Sequence, residues 1–259
     1  MRPNPWLTAL RAGDVTLGGW ITNPSTINAE IMGSAGFEYV AIDTQHGAID
    51  YTTMLPLLQV LAIGEATPIV RVPSCDSAHI GKALDAGARA VIVPMVNDRE
   101  TCQAAMSFTR YAPEGVRSYG PTRAVLVEGD DYFSNASEQI SMIPMIETVQ
   151  AIDNIDEILD VPGVEAIYVG PADLSISLGL PPALDSPALD EAIESIIEAC
   201  ARHGVAPGVH ANSSLCAKRV TQGFRMVTVS ADIVALRTQV NEDLALARGS
   251  AGGSVTSAY

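Results

Sequence analysis

Short apolar, β-branched runs alternate with longer amphipathic stretches along the sequence, and no other feature limits the fold as strongly. This alternation is typical of repeated βα units around a parallel sheet whose strands are covered on both faces. Eight runs predict strands, at 17–22, 39–44, 68–72, 90–95, 143–147, 166–170, 206–210 and 225–230. The intervening stretches predict helices, at 27–35, 51–63, 77–86, 99–108, 151–159, 188–203, 214–222 and 233–248.

The length of the chain suits one fold made of these units. Its 259 residues, 47% of them hydrophobic, can bury one large core, and single α/β barrels are commonly this size. We therefore predict an α/β fold, a (β/α)8 TIM barrel over residues 1–248, with a doubly wound sheet as the alternative. Residues 111–139 interrupt the repeat and are expected to be mostly irregular. The small, polar segment 249–259 is expected to be a disordered tail without function.

Composition limits the partners. A net charge of −15 without basic clusters argues against nucleic acid and anionic membranes, so small molecules or further copies of the chain are expected. The most apolar stretch, 54–63, is too short to span a bilayer. Four cysteines without Cys-x-x-Cys spacing, and no recognisable signal peptide, predict reduced thiols and a cytoplasmic protein.

Polar residues follow the predicted strands at their carboxyl ends, where barrel enzymes build active sites. Glu147 ends the fifth run and Asp173 follows the sixth. Two carboxylates in one pocket repel each other, and a divalent cation such as Mg²⁺ or Mn²⁺ removes that repulsion while keeping positions for water or substrate. His46 follows the second run, Arg71 lies in the third and His210 ends the seventh. These side chains are expected to converge on one volume.

Each of these residues also has a purely structural explanation. Asp173 could cap a helix, and Glu147 could interact with a helix dipole. His46 could be a turn residue. Arg71 needs an anionic partner wherever it points, and a structural salt bridge would satisfy it. All four explanations would have to hold together, so a functional site is the better interpretation.

Several residue types and motifs are absent from the predicted strand ends, which limits the reaction mechanisms available to the site. The only lysines, Lys82 and Lys218, fall in predicted outer helices, so an iminium mechanism has no candidate at a strand end. No Gly-x-Ser-x-Gly elbow, P-loop or Gly-x-Gly-x-x-Gly motif follows a predicted strand, and no cysteine stands at a strand end beside a histidine. Metal-assisted chemistry remains.

A series of motifs runs in order along residues 17–243. They are Ala-Ile-Asp-Thr-Gln-His-Gly (41–47), Val-Arg-Val-Pro (70–73), Leu-Asp-Ala-Gly-Ala (84–88), Pro-Met-Val (94–96), Gly-Val-Arg-Ser-Tyr-Gly-Pro (115–121), Met-Ile-Glu-Thr (145–148) and Gly-Pro-Ala-Asp-Leu-Ser (170–175). This series resembles the class II, metal-dependent pyruvate aldolases of the HpcH/HpaI family. The loop 117–123 is most similar to that of the hydroxy ketoacid aldolases in the family.

The resemblance implies a barrel of the phosphoenolpyruvate/pyruvate superfamily. It also implies a homohexamer, a trimer of dimers, in which the C-terminal helix is exchanged between subunits. Glu147 and Asp173 correspond to ligands of Mg²⁺, Mn²⁺ or Co²⁺. The segment Gly170, Pro171 and Ala172 corresponds to a contact surface for pyruvate, with the Ala172 backbone near its carboxylate.

The resemblance implies a mechanism as well. Pyruvate chelates the metal and loses a methyl proton, and the enolate adds reversibly to an aldehyde to give a 4-hydroxy-2-oxoacid. His46 corresponds to the general base and Arg71 to the group that stabilises the enolate. Asp85, from this chain or an adjacent subunit, corresponds to the carboxylate that raises the basicity of His46, and Asp43 is a second candidate for that role.

The second substrate is left open by the sequence. Trp20, Arg123 and His210 are candidates for the aldehyde pocket. Met145 stands where many family members have glutamine, which puts direct side-chain recognition of pyruvate at that position in doubt. Oxaloacetate decarboxylation and CoA-ester lysis are alternative reactions, although the chain has no basic cluster for nucleotide phosphates. A non-enzymatic binding protein would be expected to have a broken constellation, whereas here every charged position is filled.

Overall fold

Eight parallel strands close into a barrel in which each strand pairs with the next in sequence and the last pairs with the first. The computed structural model describes residues 1–249. The strands are β1 (Thr16–Ile21), β2 (Tyr39–Asp43), β3 (Thr67–Arg71), β4 (Ala90–Val93), β5 (Ser141–Ile146), β6 (Ala166–Val169), β7 (Ala206–His210) and β8 (Met226–Ala231). All eight predicted strands are present, so the (β/α)8 barrel is confirmed and the doubly wound sheet is wrong.

Helices cover the outside of the barrel. They are α1 (Pro5–Arg11), α2 (Thr26–Ser34), α3 (Tyr51–Leu61), α4 (Ser77–Asp85), α5 (Arg99–Thr109), α6 (Thr122–Glu128), α7 (Tyr132–Gln139), α8 (Val149–Asp153), α9 (Ile155–Leu159), α10 (Pro171–Ser177), α11 (Pro187–His203), α12 (Cys216–Gln222) and α13 (Asp232–Gly249). The eight predicted helices are present, although the one at 151–159 is divided into α8 and α9 at Asn154. Lys82 and Lys218 lie in α4 and α12, as predicted.

The expectation that residues 111–139 are mostly irregular is wrong. Two helices, α6 of 7 residues and α7 of 8, occupy its second half. Gly129, at φ 99°, ends α6 in a backbone conformation that favours glycine. Each helix spans about two turns and buries only two side chains, so the sequence carries little helical periodicity there.

The barrel interior holds a separate apolar cluster that includes Trp20, Tyr39, Tyr168 and Met226. Helix α1 closes the amino-terminal end of the barrel. Its Trp6 is 1% exposed and meets the Tyr39 ring edge-on at 6.2 Å between ring centroids. Polar chemistry is therefore concentrated at the opposite, carboxyl end of the strands.

Helix α13 projects from the barrel and presents apolar side chains to solvent. Its first residue, Asp232, accepts hydrogen bonds from Thr22 N–H (3.0 Å), Thr22 Oγ1 (2.8 Å) and Asn23 N–H (3.1 Å), which attaches the helix to the end of β1. Further along, Ile233, Leu236, Val240 and Leu244 are each 46–60% exposed. The exchange of this helix between subunits stays a prediction. The expected disordered tail, 249–259, lies outside the described range except for Gly249, which is the last residue of α13. Among residues 1–249, no helix has the length and apolar character needed to span a membrane.

Candidate active site

An ion pair between neighbouring strands forms one wall of the site. Asp43 ends β2, Arg71 ends β3, and the two residues are direct partners in the strand register. Arg71 Nε donates to Asp43 Oδ1 at 3.0 Å and Nη2 donates to Oδ2 at 2.5 Å, a bidentate contact. Burial raises the pKa of Asp43, but the hydrogen bonds and charge of Arg71 outweigh it, and the pKa lies below its ordinary value. The structural partner that Arg71 requires is therefore present, and Arg71 lines the cavity nevertheless.

Trp20 contacts both residues of this ion pair. Its Nε1–H donates to Asp43 Oδ2 at 3.3 Å, and the guanidinium of Arg71 lies 5.0 Å from the centre of the indole ring. The indole also stacks on Tyr168 at 5.6 Å and meets the His210 ring edge-on at 5.0 Å. Because Trp20 is only 2% exposed, it positions cavity residues and does not itself line the cavity.

The turn after β2 carries His46 to the cavity. Asp43 Oδ1 accepts the backbone N–H of Gln45 at 3.0 Å and of His46 at 3.1 Å, so the residue that holds Arg71 also folds this turn. A Cβ atom at Gly47 would lie 2.2 Å from the Asp43 carbonyl oxygen, and glycine is therefore required there.

Glu147 lies directly after β5, beside the cavity residue Gly170, and is 2% exposed. Its Oε1 accepts the backbone N–H of Met95 at 2.8 Å, and Met95 adopts the left-handed region at φ 56°. Burial raises the pKa of Glu147, the Met95 N–H lowers it, and the negative charge of Asp173 raises it further. A Cβ atom at Gly170 would lie 2.6 Å from Glu147 Oε2, so this carboxylate needs glycine beside it.

Asp173 lies in the first turn of α10. Pro171 begins that helix and Gly170 is its N-cap, so the interpretation of Asp173 as the cap is wrong. Gly170, Pro171 and Ala172 line the cavity next to Asp173. The helix start thus presents both a carboxylate and main-chain groups to a ligand.

These elements enclose a cavity of about 190 Å³. It contains seven of the predicted site residues together with Met145, and also two that sequence reasoning missed, Tyr168 and Leu184. The sequence hints weakly at Tyr168, because its hydroxyl group stands in an otherwise apolar strand. Leu184 lies in a loop, where no sequence pattern predicts a site residue. The full lining is His46, Arg71, Met145, Tyr168, Gly170, Pro171, Ala172, Asp173, Leu184 and His210.

Asp85 and Arg123 lie elsewhere in the chain. Asp85 ends α4 and accepts a hydrogen bond from Arg117 Nη2 at 2.7 Å. Arg123 donates to the carbonyl oxygens of Ala86 and Leu58, on the outer layer of helices. Within one chain neither residue lines the cavity, so the roles assigned to them require a neighbouring copy and stay predictions.

The donor set suits a hard divalent cation. Among residues 1–249 no group of three or more His, Cys, Asp and Glu side chains is arranged to hold a metal ion. The pair Glu147 and Asp173 offers only carboxylate oxygens. Mg²⁺ and similar ions bind through one or two carboxylates and fill their other positions with water and substrate, so two carboxylates beside a cavity fit such an ion.

Comparisons with known proteins agree with the motifs. The family model described as HpcH/HpaI aldolase/citrate lyase matches residues 17–238. A hydroxypyruvate/pyruvate aldolase of Rhizorhabdus wittichii is 37% identical over 244 residues, 93% of this chain and 97% of that protein. A 4-hydroxy-2-oxo-heptane-1,7-dioate aldolase of Escherichia coli is 34% identical over 237 residues, 90% of each chain.

Solved structures of the same family have a similar fold. The crystal structure of an HpcH/HpaI aldolase/citrate lyase family protein from Burkholderia cenocepacia superposes with a TM-score of 0.89 at 29% identity, covering 95% of this chain and 99% of that one. The resemblance indicated by the motifs is confirmed. The chain belongs to the HpcH/HpaI aldolase/citrate lyase family and is an enzyme, a carbon–carbon lyase.

Proposed function

We propose that this enzyme catalyses the metal-dependent, reversible aldol addition of pyruvate to an aldehyde, giving a 4-hydroxy-2-oxoacid. The observation that carries the proposal is that Asp173 and Arg71 line one cavity and that the buried Glu147 carboxylate lies close enough to both for their charges to shift its pKa. The site thus combines anions suited to a cation with a fixed positive group beside them.

Glu147 and Asp173 would hold a divalent cation, Mg²⁺, Mn²⁺ or Co²⁺, because their like charges face each other next to the cavity. When bound, such an ion polarises the 2-oxo group of pyruvate. The Met95 N–H fixes one oxygen of Glu147 and leaves Oε2 for coordination. The backbone of Ala172 would receive the pyruvate carboxylate.

Arg71 would stabilise the enolate oxygen. Its pair with Asp43 uses Nε and Nη2 and leaves Nη1 available for a ligand in the cavity. His46, held on the Asp43 turn, would move the methyl proton. The charge on Arg71 is already positioned before substrate arrives, so little reorganisation is needed as the enolate forms.

The test is pyruvate release from a panel of 4-hydroxy-2-oxoacids, measured with Mg²⁺, Mn²⁺, Co²⁺ or chelator. Glu147→Gln should abolish activity, and Arg71→Ala should lower it roughly 10²–10³-fold. Glu194→Gln, on the exposed face of α11, is the matched control and should behave as the wild type. Full activity of metal-stripped protein in chelator would refute the proposal.

We also propose a homo-oligomer, a hexamer in which α13 packs against another copy. The support is the apolar side chains that α13 leaves exposed, together with the finding that Asp85 and Arg123 do not line the cavity of their own chain. Light scattering with size-exclusion chromatography measures the mass, and a monomer would refute this assembly.

We further infer a cytoplasmic location, supported by the four cysteines, which form no disulfide within residues 1–249. Fractionation of the source cells tests it, and recovery outside the cytosolic fraction would refute it.

A further inference from the structure

A chain of hydroxyl groups runs from the core of the barrel to the cavity. Tyr39 Oη lies 2.9 Å from Thr228 Oγ1, which lies 2.6 Å from Tyr168 Oη. Tyr168 Oη lies 3.3 Å from Nδ1 of His210, a cavity residue. Tyr39, Thr228 and Tyr168 are each no more than 1% exposed.

The order of donors in this chain follows from a count of protons. Each hydroxyl has one proton, and a buried donor without an acceptor is costly. Within residues 1–249 the only hydrogen-bond partner of the Tyr39 hydroxyl is Thr228, so Tyr39 donates to Thr228. Thr228 then donates to Tyr168, and Tyr168 donates to His210. The reverse order would leave the Tyr39 proton without an acceptor in the protein.

This order fixes the tautomer of His210. Nδ1 accepts a hydrogen bond, so the ring proton is on Nε2. Burial lowers the pKa of His210 to about 4, and the positive charge of nearby Arg71 lowers it as well, so the ring is neutral near pH 7. The ring is also held edge-on against Trp20, which limits its rotation.

We propose that His210 presents Nε2–H to the cavity as a neutral hydrogen-bond donor that selects hydroxyaldehydes as the second substrate. This inference rests on the proposed aldol function. His210 ends β7, whereas His46 follows β2, and strands β8 and β1 separate them around the barrel. In the proposed function His46 moves the methyl proton of pyruvate, and the donor on β7 is assigned here to an oxygen of the aldehyde other than its reacting carbonyl oxygen. No proton is transferred in this contact.

The tautomer is measured directly by ¹⁵N NMR of histidine-labelled protein without metal or substrate. The chain has four histidines, and His210→Phe assigns the signal of this one. We expect the Nε2–H form at pH 7 in the wild type and a mixture of tautomers in Tyr168→Phe, which removes the donor to Nδ1 together with the acceptor of the Thr228 hydroxyl. A wild-type ring that is protonated, or that carries its proton on Nδ1, would overturn the inference.

Selection is measured with glycolaldehyde and propanal, which have the same number of non-hydrogen atoms and differ in one hydroxyl. We expect the ratio of kcat/KM values, glycolaldehyde over propanal, to fall roughly 3- to 10-fold in His210→Phe, the range for one lost hydrogen bond. His210→Asn keeps an N–H donor and should retain more of the ratio than His210→Phe.

These experiments distinguish a failure of the role given to His210 from a failure of the proposed aldolase function. A ratio that is unchanged in His210→Phe while both aldehydes still react would overturn the role given to His210 and leave the aldolase reaction intact. Absence of aldol product from the wild type with both aldehydes would refute the proposed function, together with the selectivity that rests on it.

Discussion

Arg71 has to stay charged although its side chain is only 11% exposed, and Asp43 makes this possible. An unpaired buried charge is costly, so the sequence alone predicts a partner for Arg71. Which acid it would be depends on the register of β2 and β3, which sets Asp43 opposite Arg71. That register depends on how the strands pair in the folded barrel. The sequence therefore predicts that Arg71 needs an acidic partner, but it does not predict that the partner is Asp43.

Replacing Asp43 with asparagine should therefore destabilise the fold. The change leaves Arg71 with a neutral partner in a buried position, and the free energy of unfolding should fall by about 3 kcal/mol. Asp156→Asn is the matched control because Asp156 also pairs with an arginine, Arg202, but both of these side chains are more than half exposed. Urea unfolding curves give both values, and an equal small effect of the two substitutions would contradict the prediction.

Acidification should also remove the stability that the Asp43–Arg71 ion pair contributes. The folded-state pKa of Asp43 is below its ordinary value of 3.8, so the pair adds stability above that pH and loses it as the pH falls through the folded-state pKa. The difference in unfolding free energy between wild type and Asp43→Asn should stay constant from about pH 7 to 5 and shrink below about pH 4. A difference that does not change with pH would show that charge is not its origin.

Among the elements, the turn from β6 into α10 sets the geometry of the proposed metal site. Gly170 has φ −97° and ψ 91°, a backbone conformation open to alanine, so only the side-chain contact is in question. In Gly170→Ala the Cβ atom would lie 2.6 Å from Glu147 Oε2 and 3.0 Å from Met145 Cε, and Glu147 would have to move.

We expect Gly170→Ala to fold and to bind Mn²⁺ at least roughly 10-fold more weakly, measured by electron paramagnetic resonance of free Mn²⁺. Gly81→Ala, in α4, is the control because its Cβ would meet nothing within 4 Å. Unchanged Mn²⁺ affinity in Gly170→Ala would argue against Glu147 as a ligand.

Elements differ in how well the sequence predicts them. The strands were predictable because near-continuous apolar character is needed on every strand that is buried on both faces. Four short helices were not predicted from the sequence: α1, α6, α7 and α10. Each has only 7 or 8 residues, about two turns, and so shows little hydrophobic periodicity. Most strand-end site residues followed from the fold, whereas the placement of Asp85 and Arg123 depends on contacts between elements distant in sequence.

At the scale of the whole molecule, the exposed apolar side chains of α13 should hold copies together. The double variant Val240→Glu and Leu244→Glu places charge on that face and should reduce the mass measured by light scattering. Thr238→Glu, about half a turn away on the exposed surface of α13, is the control and should keep the wild-type mass. An unchanged mass in the double variant would exclude this face as an interface.

The hydroxyl chain from Tyr39 to His210 belongs to the same scale. Its members come from β2, β6, β7 and β8, and Tyr39 and Thr228 are separated by 189 residues. No local pattern predicts such a contact, because each residue alone reads as one polar side chain in an apolar strand. Closure of the barrel brings them together.

Side chains fill the barrel interior and α1 covers its amino-terminal end, so substrates would reach the site from the carboxyl end of the strands. The proposed metal ligand Glu147 is nearly inaccessible to solvent, so pyruvate bound beside it would lie below the second substrate. Substrates that share one entrance must then come and go in order. In the cleavage direction the aldehyde should leave first and pyruvate last, which makes pyruvate a competitive product inhibitor of the 4-hydroxy-2-oxoacid and the aldehyde a noncompetitive one.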